Sequence, residues 1–204
     1  HKRIFQDSAH PGCNNTITVE LMANMPIPAH ADQYIEINFN LYGRMPCVNK
    51  YSVQPQFQPS WSSDNVLRLK VVQSMDACTY YNVTFEVNND IAEHDYADAT
   101  IAAAGPVSIA AEDMATKPGY EPFTVDKPEF TIANMGQSTP YPGATGDYAN
   151  TLCVTVKSNA FITKGAALTL SELHGAIAPD GEIELEKNSS LFTSLNGTAG
   201  KGSW

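Results

Sequence analysis

The chain has 204 residues, 43% of them apolar, which is enough for one large all-β domain or two sandwiches of about 100 residues each. Its 12 Lys and Arg against 22 Asp and Glu give a formal charge of -10, which argues against nucleic acid and anionic lipid as partners. No apolar run approaches the roughly 20 residues that span a bilayer, and the basic start His1-Lys2-Arg3 is not followed by the apolar core of a signal peptide, so the chain reads as soluble, without membrane insertion, and already processed.

The first predicted strand lies in Asn15-Thr16-Ile17-Thr18-Val19-Glu20-Leu21. Ile17, Val19 and Leu21 face one way and Thr16, Thr18 and Glu20 the other, the period of a half-buried strand. Further strands are predicted at Tyr34 to Phe39, Val66 to Val72, Tyr80 to Val87 and Val107 to Ala110, separated by segments rich in Pro, Gly, Asn and Ser. The segment from Met114 to Phe130 carries Pro118, Gly119, Pro122 and Pro128 and is expected to be a stiff joint between domains. No stretch keeps a helical period, and short strands with polar outer faces point to antiparallel sandwiches.

After that segment the first strand recurs. Asn15-Thr16-Ile17-Thr18-Val19 reappears as Asn150-Thr151-Leu152-Cys153-Val154, 135 residues on, and the match extends upstream through Pro11-Gly12 and Pro142-Gly143 to Gln6 and Gln137. Downstream, Ile27 falls on Ile162, and with two extra residues in the first copy Ile35 and Ile37 fall on Leu168 and Leu170. Alternation alone would not reproduce the Gln, Asn and Pro-Gly positions. The expected fold is therefore all-β, two tandem antiparallel immunoglobulin-like β-sandwich domains: repeat 1 over 1–113, the joint over 114–128, and repeat 2 over 129–204. Ser60-Trp61 is followed by strands, whereas Ser203-Trp204 is not, so the second repeat is expected to lack its last strands. Glu129-Phe130-Thr131-Ile132 has no counterpart before Ile4, so the first repeat is expected to lack its first. Such open ends would be covered by further repeats of a longer polypeptide or by a neighbouring subunit.

The pattern Gln137, Pro140-Tyr141-Pro142-Gly143, then Asn150-Thr151-Leu152 with Val154 and Val156, then Lys164-Gly165-Ala166-Ala167-Leu168-Thr169-Leu170-Ser171-Glu172-Leu173 resembles β-sandwich repeats of large secreted proteins of marine protists. Leu191-Phe192, Trp204 and Tyr81-Asn82-Val83-Thr84-Phe85 fit the same pattern, while the loop from Leu41 to Gln58 departs from it. The resemblance implies a structural role at a cell surface or in an appendage, and it transfers no catalytic residue.

Candidate sites follow from residue type. Asn14, Asn82, Asn188 and Asn196 head Asn-x-Ser/Thr triplets, which suit N-linked glycans on a secreted protein, and Asn82 falls on the outward phase of its strand. Cys13, Cys47, Cys78 and Cys153 lack C-x-x-C pairing and zinc spacing, so disulfides are expected, with Cys47 joined to Cys78 inside the first repeat and Cys13 and Cys153 unassigned. Asp90, Glu93, Asp95 and Asp98 gather carboxylates in one loop, a place for calcium or simply solvated charge. Tyr42, Tyr51, Phe57, Trp61, Tyr120 and Tyr141 are a glycan-stacking platform or core. The five histidines fit no H-E-x-x-H, and no G-x-S-x-G elbow or phosphate loop is present. The expected function is an extracellular, non-enzymatic structural glycoprotein that self-associates without a cofactor; the alternative is a glycan-binding or adhesive module.

Overall fold

The computed structural model describes residues 1–41, 48–62, 65–140, 150–175, 180–187 and 189–204. Contact density divides the chain into units 1–163 and 164–204. The chain is all-β, with no α-helix among the described residues.

The first ten strands are β1 (Lys2–Gln6), β2 (Asn14–Leu21), β3 (Tyr34–Phe39), β4 (Val48–Val53), β5 (Phe57–Trp61), β6 (Val66–Val71), β7 (Tyr81–Asn88), β8 (Ala99–Ala104), β9 (Ile109–Asp113) and β10 (Ala115–Thr116). They form two five-stranded sheets, in the orders β10-β1-β2-β7-β4 and β5-β6-β3-β8-β9. All ladders are antiparallel except the short parallel pairing of β1 with β10. Alternation explains the layering, because every second residue of β2, β3, β6 and β7 is buried and the residues between are not. Ile17, Val19, Val83 and Phe85 of the first sheet share one core with Ile35, Ile37, Leu67 and Leu69 of the second. Phe39 of β3 meets Phe85 of β7 edge to face at 6.1 Å between ring centres, which places the sheets face to face as a sandwich.

Buried polar groups pin the two ends. Gln33, fully buried, donates from Nε2 to the carbonyls of Ala104 and Val107 at 3.0 Å each and accepts the Val107 N–H at 2.9 Å. That ties the β8–β9 turn to the start of β3. Gly105 in this turn has φ +125°, and a Cβ there would stand 2.3 Å from the Asp32 carbonyl oxygen, so the position admits only glycine. At the other end Asn15 donates to Gln6 Oε1 at 2.9 Å and Asn89 Oδ1 at 2.8 Å, while Asn89 donates to the Ser8 and His10 carbonyls.

The proline-rich segment lies along this first sandwich. Met114 and Val125 are buried, and the Phe123 ring stands 5.2 Å from that of Phe39. Gln6 donates through Nε2 to the Thr124 carbonyl and through its backbone N–H to that of Tyr120. Bulky apolar residues between the prolines thus close the end of the core that its aromatic cluster occupies.

The expectation that the first repeat lacks a strand is corrected. Its core closes between two five-stranded sheets. The Phe130 to Ile132 stretch belongs to the same strand as Gln137, namely β11 (Phe130–Gln137), which pairs with β12 (Leu152–Ser158). Ile132 stands opposite Lys157 as His1, whose carbonyl accepts the Met22 N–H, stands opposite Met22.

In the unit 164–204, β13 (Glu182–Glu184) pairs with β14 (Lys201–Ser203). Residues 164–175 form no strand, although Leu168 and Leu170 match Ile35 and Ile37 of β3. The reason lies in the ladder: β3 is central, bonded to β6 on one side and β8 on the other, whereas among the described residues 164–175 pair with no strand. A central strand without neighbours leaves its backbone groups to water and its apolar side chains exposed.

Candidate assembly surface

The β11–β12 hairpin reproduces the β1–β2 hairpin residue for residue. Gln6 stands opposite Ile17 and Ile4 opposite Val19; Gln137 stands opposite Leu152 and Met135 opposite Val154. The side-chain clamp is repeated as well. Asn150 donates to Gln137 Oε1 at 3.0 Å, as Asn15 does to Gln6 at 2.9 Å. The Thr139 N–H donates to Asn150 Oδ1 at 3.2 Å, as the Ser8 N–H does to Asn15 at 3.3 Å. Matched amides at these positions are what the shared Gln and Asn of the two copies are for.

The hairpins differ in what covers them. In the first, Ile4, Ile17 and Val19 are 0% exposed, because β7 pairs along the outer edge of β2 and the second sheet packs over the face. In the second, Met135 is 58% and Leu152 36% exposed, and Val154 and Val156 are only half-buried. Among the described residues β12 pairs with β11 alone. Among the described residues no counterpart of Asn89 meets the Asn150 amide. A two-stranded sheet with a bare edge and an open apolar face is marginally stable by itself and prone to add a strand.

The other sequence-singled residues are dispersed. Asn14, Asn82 and Asn196 are exposed and Asn188 lies outside the described residues. Asn82, opposite Glu20 on the outer face of β7, presents the side chain a glycan would need. Cys13, Cys78 and Cys153 carry free thiols, with Cys153 exposed on β12, and Cys47 lies outside the described residues. In the acidic loop Glu93, Asp95 and Asp98 are exposed. Asp90 is spent locally, accepting the Ile91 N–H at 2.6 Å and standing 3.3 Å from His94 Nε2. Among the described residues no three acidic, His or Cys side chains are gathered to hold a metal ion.

The aromatic set divides too. Phe57 is buried, and Trp61 packs against the core, stacked on Phe39 at 5.3 Å. Tyr51 is partly buried and its phenol is raised by burial; Tyr120 is exposed beneath the Lys117 ammonium at 4.0 Å. Tyr42 and Tyr141 lie outside the described residues. In the unit 164–204, Glu182 Oε1 accepts the Ser194 hydroxyl at 2.5 Å and the Thr198 hydroxyl at 2.6 Å. These bonds, Ser194 first, hold its carboxyl below the usual glutamate range. The Ser194 and Thr198 partners sit 12 and 16 residues away, beyond any local pattern in the sequence.

Comparison with known proteins gives no family model that matches the chain and no curated protein that does. Among solved structures it is similar to a GH20 exo-β-N-acetylglucosaminidase from Vibrio harveyi: to an inactive mutant at 12% identity and TM-score 0.38, over 66% of this chain and 19% of that one. The same enzyme in complex with N-acetylglucosamine matches at 11% identity and TM-score 0.39, over 68% of this chain and 23% of that one. This chain therefore spans less than a quarter of either of these two chains, and a likeness of that size carries no functional argument.

Proposed function

We propose that this chain is an extracellular structural glycoprotein, a repeat unit of a filament, a flagellar-hair-like appendage or a cell-surface layer, which assembles by strand completion and uses neither a catalytic residue nor a cofactor. The observation that supports the reading is the contrast between two hairpins of matched sequence and register, one sealed and one open. An apolar face that is buried in one copy and half-exposed in the next is what a chain would carry if neighbouring repeats completed each other. The exposed Asn14, Asn82 and Asn196 add the glycan sites of a secreted surface.

Sedimentation velocity over a concentration series, with negative-stain microscopy of the top samples, tests the assembly. Growth from monomer into head-to-tail particles is expected. A chain that stays monomeric at every concentration, and whose natively secreted form has all four sequons bare by glycopeptide mass spectrometry, is not this kind of protein.

A further inference from the structure

Resting on the assembly reading, we propose that the vacancy on the second hairpin is specific for one kind of strand. It takes an extended segment of pattern Tyr-x-Val-x-Phe-x-Val-x-Asn, supplied by another repeat of this kind, antiparallel along the outer edge of β12. The first repeat shows the occupant of the matching place. There β7 and the residue after it read Tyr81-Asn82-Val83-Thr84-Phe85-Glu86-Val87-Asn88-Asn89, with Tyr81 opposite Leu21, Val83 opposite Val19, Phe85 opposite Ile17 and Val87 opposite Asn15.

Transferring that register by the 135-residue offset puts the incoming Tyr opposite Val156, the two Val opposite Val154 and Asn150, and the Phe opposite Leu152. Its terminal Asn then meets Asn150, because Asn89 Oδ1 accepts from Asn15 at 2.8 Å and Asn150 is held by Gln137 in the same pose as Asn15 by Gln6. Apolar alternation fixes the face the segment buries, since a slip of one residue would turn its whole apolar set to solvent, and the Asn selects among registers two residues apart, since only one of them brings it to the Asn150 amide. The chain's own β7 is sealed in the first sandwich, with Tyr81, Val83, Phe85 and Val87 all buried, so the segment comes from outside this fold.

Cys153 reports on the register. It matches Thr18, which stands opposite Thr84, so the position equivalent to Thr84 in the incoming strand faces Cys153. Directly opposed residues lie within disulfide reach, whereas diagonal neighbours fall near or past its limit. The experiment incubates the full chain with synthetic peptides covering residues 80–90, each carrying one cysteine in place of Asn82, Thr84 or Glu86, in a glutathione buffer, and maps the mixed disulfides by mass spectrometry. The Thr84→Cys peptide is expected to join Cys153 at least about tenfold faster than the other two, and an Asn89→Leu change in that peptide to remove most of the preference. Equal rates at all three positions, or coupling to Cys13 or Cys78 as readily as to Cys153, overturn the proposal. A chain that self-associates yet shows no register preference keeps the assembly reading and loses this strand. One that binds the peptide in register yet never self-associates does the reverse.

Discussion

Ile17 and Leu152 occupy the same place in two copies of one hairpin, so truncating each to alanine measures what covers them. Ile17 is 0% exposed, between its β1 and β7 neighbours and the opposing sheet, and Ile17→Ala leaves a cavity whose cost in a tight core is about 3–4 kcal/mol. Leu152 is 36% exposed on a two-stranded sheet, where little closes over it, and Leu152→Ala costs the free chain less than about 1 kcal/mol. When a neighbour covers the face, the same truncation removes newly buried surface worth about 1–2 kcal/mol, a weakening of association by roughly 5–30-fold. Urea unfolding, followed by the near-ultraviolet signal of Trp61 stacked on Phe39, reads the first effect at concentrations where sedimentation finds monomer. Sedimentation at higher concentration reads the second. Equal losses for Ile17→Ala and Leu152→Ala in the monomer would mean that the second hairpin is already covered by its own chain, and the reasoning would fail.

Gly105→Ala is expected to destabilise the first sandwich by about 2–4 kcal/mol, since the new Cβ meets a backbone oxygen at 2.3 Å; a change below about 0.5 kcal/mol by urea titration would contradict this. Asn15→Ala strips a donor from buried Gln6 and Asn89 and should cost about 2–4 kcal/mol, against less than about 1 for Asn150→Ala, whose site is exposed; equal costs in the same titration would contradict the contrast. Glu182 has a folded pKa below the ordinary 4.5, so its contribution is present above that pH and is lost as pH falls through the depressed value. Protection factors at 182–184 and 201–203, taken relative to the intrinsic exchange rate at each pH, should therefore fall as the pH drops below the ordinary 4.5, and Glu182→Gln should flatten the dependence.

The strands with clean alternation were legible from sequence: β2, β3, β6, β7 and β12 fall where Ile17, Ile35, Leu67, Val83 and Val154 alternate with polar neighbours. Less patterned strands escaped notice, among them β1, whose Lys2 and Arg3 hide a single buried pair at Ile4 and Gln6, and β8, where Ala-rich sequence offers no amphipathic contrast. The joint reading followed the prolines, but Phe123 and Val125 between them decide where that segment lies, because buried apolar surface outweighs local stiffness. Of the open hairpin, the sequence carried the repeated Gln, Asn and alternating apolar positions. It could not carry the clamp, which forms only when Gln6, Asn15 and Asn89 arrive from three separate segments.

Amide hydrogen exchange at two protein concentrations tests the central claim most directly. In dilute chain the amides of β2 should be protected at the level of global unfolding, while the outer-edge amides of β12 exchange within seconds to minutes; at concentrations that give particles, β12 should gain protection of at least about tenfold and β2 should not change. Equal protection of β2 and β12 in the monomer, or particles that form while β12 stays as fast as in dilute solution, would contradict it.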